Sequence, residues 1–193
     1  ATASLPRIEQ AIVAAPSEWD EETFERRLFL ARKGMERKGA HLEGFTIPSA
    51  SCRTVVYKGL FTASKIDQFY WDLRDPRFET SYAIFHQRYS TNTFPSWSIA
   101  QPFRSVAHNG EINTIRSNRA WMVGREVNAR SPVWGERIGE LRPFLEPEQS
   151  DSGSLDNAFE LLLRTGRSLA HVKEMLLPAA WENLPYIDPD LRA

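Results

Sequence analysis

His86-Gln87-Arg88-Tyr89-Ser90-Thr91-Asn92-Thr93-Phe94-Pro95-Ser96-Trp97 is followed, after ten intervening residues, by His108-Asn109-Gly110-Glu111-Ile112-Asn113. Each half reads as a short apolar strand that delivers polar groups at its end. Tyr82, Ile84 and His86 alternate with Ala83, Phe85 and Gln87, a run of strand length bounded by polar residues. Arg88 follows, where a planar guanidinium can grip a carboxylate through two parallel hydrogen bonds. Ser90 to Thr93 add hydroxyl and amide groups before the Phe94-Pro95 step stops any ladder. Ser105-Val106-Ala107-His108 is the second strand-like run, and it enters Asn109-Gly110. An Asn-Gly pair is the strongest short signal for a tight turn. It also suits an oxyanion hole, because glycine lets a backbone N–H approach a ligand and the asparagine amide donates beside it. Spacing alone does not choose between the two.

The rest of the composition narrows the classes. With 193 residues, 41% hydrophobic and 25% charged, the sequence reads as one soluble globular domain able to bury a substantial core. A net charge of −1 without long basic runs argues against nucleic acid and anionic membrane as partners. No apolar stretch approaches the roughly 18 residues of a membrane span, no signal-peptide pattern opens the sequence, and the expected compartment is the cytoplasm. The single cysteine, Cys52, excludes an internal disulfide and any cysteine-based metal or iron–sulfur site. No histidine is spaced to activate it, so it reads as a small, buried, inert residue.

Taken in order, residues 1–19 read as a connecting segment punctuated by Pro6 and Pro16. A helix is predicted from Asp20, with Phe24, Leu28, Ala31 and Met35 on its apolar side, Gly39 at its end, and Arg26, Arg27, Arg32, Lys33, Arg37 and Lys38 on a solvated face. Residues 44–59 read as one or two strands. Residues 62–73 read as a short helix with a capping box from Ser64 to Asp67. A helix over 114–127, using Ile115, Ala120, Trp121 and Met122, is expected to pack behind the Asn109-Gly110 turn. Residues 131–147, broken by prolines and glycines, read as a loop. Ser150-Asp151-Ser152-Gly153-Ser154 is either the cap of a helix over 155–164 or the carrier of a carboxylate, Asp151, presented to a ligand ammonium. A last helix spans 168–177, and the tail from Trp181 reads as loop.

Several of these blocks carry a resemblance. Ser51-Cys52-Arg53-Thr54-Val55-Val56-Tyr57-Lys58-Gly59, Asp75-Pro76-Arg77-Phe78-Glu79, His86 to Trp97, Ala107 to Thr114 and Ser150 to Asn157 resemble the amidotransferase domain of glutamate synthase large (alpha) subunits. Flanking runs Phe24-Glu25-Arg26-Arg27-Leu28 and Ile187-Asp188-Pro189-Asp190 fit as well. The sequence thereby resembles the class II, N-terminal-nucleophile (Ntn) glutamine amidotransferases. That resemblance implies an α+β, four-layer αββα sandwich of two antiparallel sheets. It implies Arg88 as the clamp on the glutamine α-carboxylate with Thr91 assisting, Asp151 as the holder of the α-ammonium, and Asn109 and Gly110 as the oxyanion hole. In the family an N-terminal cysteine attacks the side-chain amide, and the ammonia passes to 2-oxoglutarate at an FMN site.

One departure matters. The sequence opens Ala1-Thr2-Ala3, and the amine of Cys52 is held in a peptide bond, so neither supplies an N-terminal thiol. Thr2, if exposed by removal of Ala1, is a weaker alternative nucleophile. The expectation is a single partial domain over 1–193, truncated at both ends, without the nucleophile strand and inactive in isolation. FMN and an iron–sulfur cluster belong to the implied parent and none to this chain. Implied partners are L-glutamine, the remaining synthase chain, and a small NADPH-oxidising subunit or ferredoxin. Two other classes are a different class II amidotransferase, such as a phosphoribosyl-amine or glucosamine-phosphate enzyme, and a non-catalytic glutamine-binding module.

Overall fold

A computed structural model describes residues 5–87, 94–107, 110, 112–178, 186 and 188. Helix α1 (Glu21–Gly39) begins where its sequence says it should: the Asp20 carboxylate accepts the Thr23 N–H at 2.7 Å. Glu21 and Glu22 lie in its first turn and Arg37 and Lys38 in its last, each complementing the helix dipole.

The buried face of α1 is not the predicted one. Phe24, Glu25, Phe29, Arg32 and Lys33 are buried, whereas Ala31 and Met35 are exposed. Relative to the apolar pattern this stripe is rotated by one residue, about 100°. Arg32 and Lys33 therefore do not belong to a solvated face. They point inward because carboxylates on distant segments, Glu160 for Arg32 and Glu146 for Lys33, lie beneath them.

Helix α4 (Asp151–Arg164) packs against α1 and the helix that follows it. Ser150 caps it, its Oγ accepting the Gly153 N–H at 3.1 Å, so the helix starts a turn before the predicted Leu155. Ser154 is not a cap; its hydroxyl donates to the Ser150 carbonyl at 3.1 Å and accepts from Arg119 Nε at 2.9 Å. Helix α5 (Leu169–Leu176), capped by Ser168, packs on α4 with Val172 fully buried. Between α1 and α4 lies the apolar core of Phe29, Trp134, Leu141, Phe144 and Leu161. Two of these come from or border a 3-10 helix, Gly135–Leu141, within a segment read as loop. The Trp134 indole N–H donates to the Arg164 carbonyl at 3.1 Å, tying that segment to the end of α4.

The single helix read over 62–73 is three pieces: a 3-10 turn Ala63–Lys65, α2 (Ile66–Phe69), and a 3-10 turn Trp71–Arg74. Tyr70 breaks it, with extended backbone and its hydroxyl donating to the Lys58 carbonyl at 2.7 Å. No capping box forms; Thr62 holds the cap position without a side-chain bond. Tyr57, Phe61, Phe69, Tyr70, Phe78 and Trp97 form a second cluster, with ring centroids 4.7–6.3 Å apart. A Cβ at Gly59 would collide with the Phe61 and Trp97 rings, so this cluster closes directly onto bare backbone. Helix α3 (Ile115–Glu126) follows Thr114, whose φ of 60° is left-handed. Its predicted packing face is mostly solvent-facing: Ala120 is exposed and Trp121 is 74% exposed, while Met122 joins the core.

Among the described residues no strand ladder forms. The runs 44–59, 82–87 and 105–107, read as strands, are not part of a strand ladder among the described residues. A strand exists through its partner. Here the backbone donors of Ser105 and Val106 are taken by a carboxylate, and Phe103 N–H turns back to the Val106 carbonyl at 3.0 Å. These helices decide neither for nor against the two-sheet sandwich.

Candidate functional site

The first residue of α4 organises the site. Asp151 Oδ2 accepts the backbone N–H of Ile112 at 2.9 Å, joining segments 39 positions apart. Its Oδ1 accepts the Ser152 N–H at 2.6 Å and hydroxyl at 3.2 Å. The position is favourable for an anion because the helix N-terminus presents its unpaired N–H groups there. Gly110, two residues before Ile112, is exposed. Of the expected site residues Asp151 and Gly110 are described, and the contact seen is that of Asp151 with Ile112. Arg88, Thr91 and Asn109 lie outside the described residues.

Of the two readings of the Ser150–Ser154 motif, the cap is seen, at Ser150. This leaves the Asp151 carboxylate to reach across to residue 112.

Beneath this lies a buried polar layer that periodicity did not reveal. Asp156, with no exposed surface, accepts the N–H groups of Ser105 at 2.6 Å and Val106 at 3.0 Å through one oxygen. Its other oxygen faces Arg104 Nη1 at 3.5 Å. Arg104 donates through Nη2 to Glu36 at 2.9 Å and to the Ile47 carbonyl at 3.1 Å. Arg32 joins Glu36 at 2.8 Å to Glu160 at 2.6 Å. Burial pushes the Glu160 carboxyl up, against the pull of Arg32 and Arg104. Burial also works against the Arg32 charge, but Glu160 and Glu36 outweigh it and hold the guanidinium protonated. The signal was present in the sequence as carboxylates at positions 156 and 160, one turn apart and in register with the buried residues of α4.

Lys58, Arg104, Ser98, Gln149 and Asn157 line a polar cavity of about 20 Å³, room for a single water. Lys58 Nζ donates to the Ser98 carbonyl at 2.8 Å and lies 5.5 Å from the Phe103 ring centroid. Burial lowers its pKa to about 8, with Arg104 adding to the effect and Asp156 opposing it.

Cys52 corrects one expectation: it is exposed, not buried. Its thiol is nonetheless pushed up to about 11, by desolvation first and then by the Glu25 carboxylate, so the nucleophilic thiolate is disfavoured. Glu25 itself is enclosed, accepting the Ser51 hydroxyl and the Cys52 N–H, each at 2.6 Å, and pairing with Arg164. Among the described residues no cluster of three His, Cys, Asp or Glu side chains suits a metal ion. Among them, too, no helix is long and apolar enough to cross a membrane.

Comparison with known proteins converges on one family. The sequence profile described as Glutamine amidotransferases class-II matches residues 1–193. The chain is 47% identical over 182 residues to the glutamate synthase [NADPH] large chain of Azospirillum brasilense, covering 93% of this chain and 12% of that one. It is 43% identical over 193 residues to the glutamate synthase [NADPH] large chain of Bacillus subtilis, covering 98% and 13%. The chloroplastic ferredoxin-dependent glutamate synthase of Oryza sativa subsp. japonica is 44% identical over 185 residues, with 94% and 12% covered. The chain therefore spans 12–13% of the length of these curated relatives.

Proposed function

The chain belongs to the class II glutamine amidotransferases, and from that premise we propose that it forms the glutamine-binding part of the glutaminase unit of a glutamate synthase. The observation that carries this reading is the near end-to-end identity, 93–98% of the chain, with proteins named as glutamate synthases. The bond from the Ile112 N–H, two residues past Gly110 in sequence, to Asp151 supports it from the geometry.

In this reading the zwitterionic end of glutamine is gripped by opposite charges. Arg88 binds the α-carboxylate with Thr91 assisting, and Asp151 receives the α-ammonium. Asn109 through its side chain and Gly110 through its N–H donate to the oxygen of the side-chain amide as it becomes an oxyanion. Loss of one such donor typically costs about 100- to 1000-fold in rate. A cysteine sulfur adds to the amide carbon, the nitrogen leaves as ammonia after taking a proton, and water then cleaves the thioester to glutamate. The attacking thiol is assigned to an N-terminal cysteine outside these 193 residues, since the Cys52 amine lies within a peptide bond and its thiolate is disfavoured.

The cofactors associated with the implied parent do not fit the residues described. One cysteine cannot supply the four thiolates of an iron–sulfur cluster. The cavity under Lys58 is water-sized, far below the volume of a flavin. No step here runs through either group. The remaining synthase chain is the proposed partner for the ammonia, with electrons from NADPH or ferredoxin, the two donors in the relatives' names. Relatives from bacteria and from a chloroplast make the domain compatible with either compartment.

The decisive experiment measures ammonia release from glutamine by this chain and by the same chain extended upstream to an N-terminal cysteine. Activity in the extended form alone is expected. Activity of equal size in the 193-residue chain would overturn the assignment of the nucleophile.

A further inference from the structure

We propose that the small cavity between Lys58 and Arg104 is a binding site for a monatomic anion, chloride, an assignment that stands apart from the glutaminase reading. Segments distant in sequence close it: Thr46 and Pro48, Lys58, the run from Ser98 to Arg104, and α4 through Asn157 with Gln149 just before the helix. Its volume of about 20 Å³ exceeds the roughly 10–15 Å³ that one water requires, and is too small for a sulfate, a phosphate or a carboxylate. A single-atom anion is the charged ligand that fits.

The lining is rich in donors. Lys58 is 7% exposed, and its ammonium, with three N–H bonds, meets one acceptor among the described residues, the Ser98 carbonyl at 2.8 Å. Arg104 directs Nη1 to Asp156 at 3.5 Å and Nη2 to Glu36 at 2.9 Å and the Ile47 carbonyl at 3.1 Å. Its Nε is buried without a hydrogen-bond partner among the described residues, and a buried donor calls for an acceptor. Asn157 has its Oδ1 occupied by the Glu146 N–H at 2.7 Å, which leaves the donor half of its amide. Water matches such a lining poorly, because its own hydrogens need acceptors and both the Ser98 carbonyl and the Asn157 Oδ1 are engaged. An anion accepts from every side and donates nothing.

The charges agree. After burial itself, repulsion from Arg104 is the larger influence on the Lys58 ammonium, ahead of attraction by Asp156. Asp156 is committed elsewhere, one oxygen to the Ser105 and Val106 N–H groups and the other to Arg104. An anion between the two cations relieves their repulsion and replaces the hydration that Lys58 gives up on burial.

The test uses the full-length protein that carries these residues, crystallised with bromide in place of chloride, because the anomalous scattering of bromide marks its position. One bromide is expected in the cavity, bonded to Lys58 Nζ and Arg104, and Lys58→Met should lose it. Hydrogen exchange reads the same site in solution. An ion bound only to the closed cavity slows exchange in peptides spanning 98–104 and 149–157 by one plus the ratio of its concentration to Kd. About tenfold slowing is expected between chloride-free buffer and about 0.2 M chloride, with ionic strength held constant by gluconate, and none in Lys58→Met. Bromide confined to the protein surface, an adventitious ion only, would overturn the proposal. Slowing of equal size with sulfate would do so too, since it reports general screening. If Lys58→Met fails to fold, the wild-type bromide map and the comparison of chloride with sulfate decide by themselves.

Discussion

Lys58 offers the most demanding check on the electrostatics of the buried layer. Its amine ordinarily titrates near 10.5 and here does so at about 8, because it is 7% exposed and shares its surroundings with Arg104. Holding the proton at neutral pH therefore carries a penalty on the order of 3 kcal/mol. Replacing Lys58 with methionine removes that penalty and loses the bond to the Ser98 carbonyl, a loss of about 1 kcal/mol. At pH 7 the variant is expected to be more stable by about 2 kcal/mol. The sign then reverses with pH. A depressed lysine pKa means that the folded state binds fewer protons than the unfolded chain between about 8 and 10.5. Wild-type stability contributed by Lys58 consequently rises across that window, whereas the methionine variant lacks the rise. The two curves should cross near about pH 9.5. Urea unfolding of both proteins at pH 7, 8, 9 and 10 reads this directly. A variant less stable than wild type at pH 7 by an amount that does not change with pH would refute the reasoning and identify Lys58 as a satisfied partner of Asp156.

Other substitutions probe separate parts of the fold. Arg32→Leu should destabilise by about 3–5 kcal/mol, because Glu160 loses its partner at 2.6 Å; urea titration should show the Arg32→Leu, Glu160→Leu double variant recovering most of that loss. Ser150→Ala removes the α4 cap from a buried position and should cost about 1–2 kcal/mol, read as a lowered Tm. Cys52, exposed but with its thiol near 11, should alkylate with iodoacetamide at pH 7.5 far more slowly than free cysteine, and Glu25→Gln should speed it. Although burial opposes its charge, hydrogen bonds from Ser51 and Cys52 and the Arg164 charge hold the Glu25 carboxyl below 4.5. Its stabilisation should be complete above about pH 5 and lost as pH falls through that depressed pKa, and Glu25→Gln should flatten this acid limb in thermal melts.

What could be read from the sequence was what depends on near neighbours. The start of α1 at Asp20 and of α5 at Ser168 are local capping events, and both appear where expected. The facing of α1 could not be read, because its decisive partner for Arg32 is Glu160, 128 positions away. Apolar periodicity points to where apolar side chains are, and on α1 the buried stripe mixes Phe24 and Phe29 with Glu25, Arg32 and Lys33. Tyr70 breaks a plausible helix for a similar reason, its hydroxyl being drawn to the Lys58 carbonyl. Strand readings fared differently: alternation identifies a candidate strand but not its neighbour, and the N–H groups of Ser105 and Val106 go to Asp156 of α4. The start of α4 was legible as a motif with two readings, whereas the burial of Asp156 was signalled only by its register with the buried residues of that helix, since a carboxylate inside a helix usually faces water.

Why place charge beneath the candidate site at all? Arg32, Arg104 and Lys58 meet Glu36, Asp156 and Glu160 in a layer that is balanced in charge. Such a layer adds little net stability, since desolvation offsets most of the attraction. Its bonds are directional, however, and apolar packing is not. Apolar burial in this part of the chain comes at Ala100 and Phe103. The N–H groups of Ser105 and Val106 are held by Asp156, and that of Ile112 by Asp151. An oxyanion donor must sit within a few tenths of an ångström of its productive position. Hydrogen bonds from backbone N–H groups to one helix hold a position more narrowly than apolar contacts would.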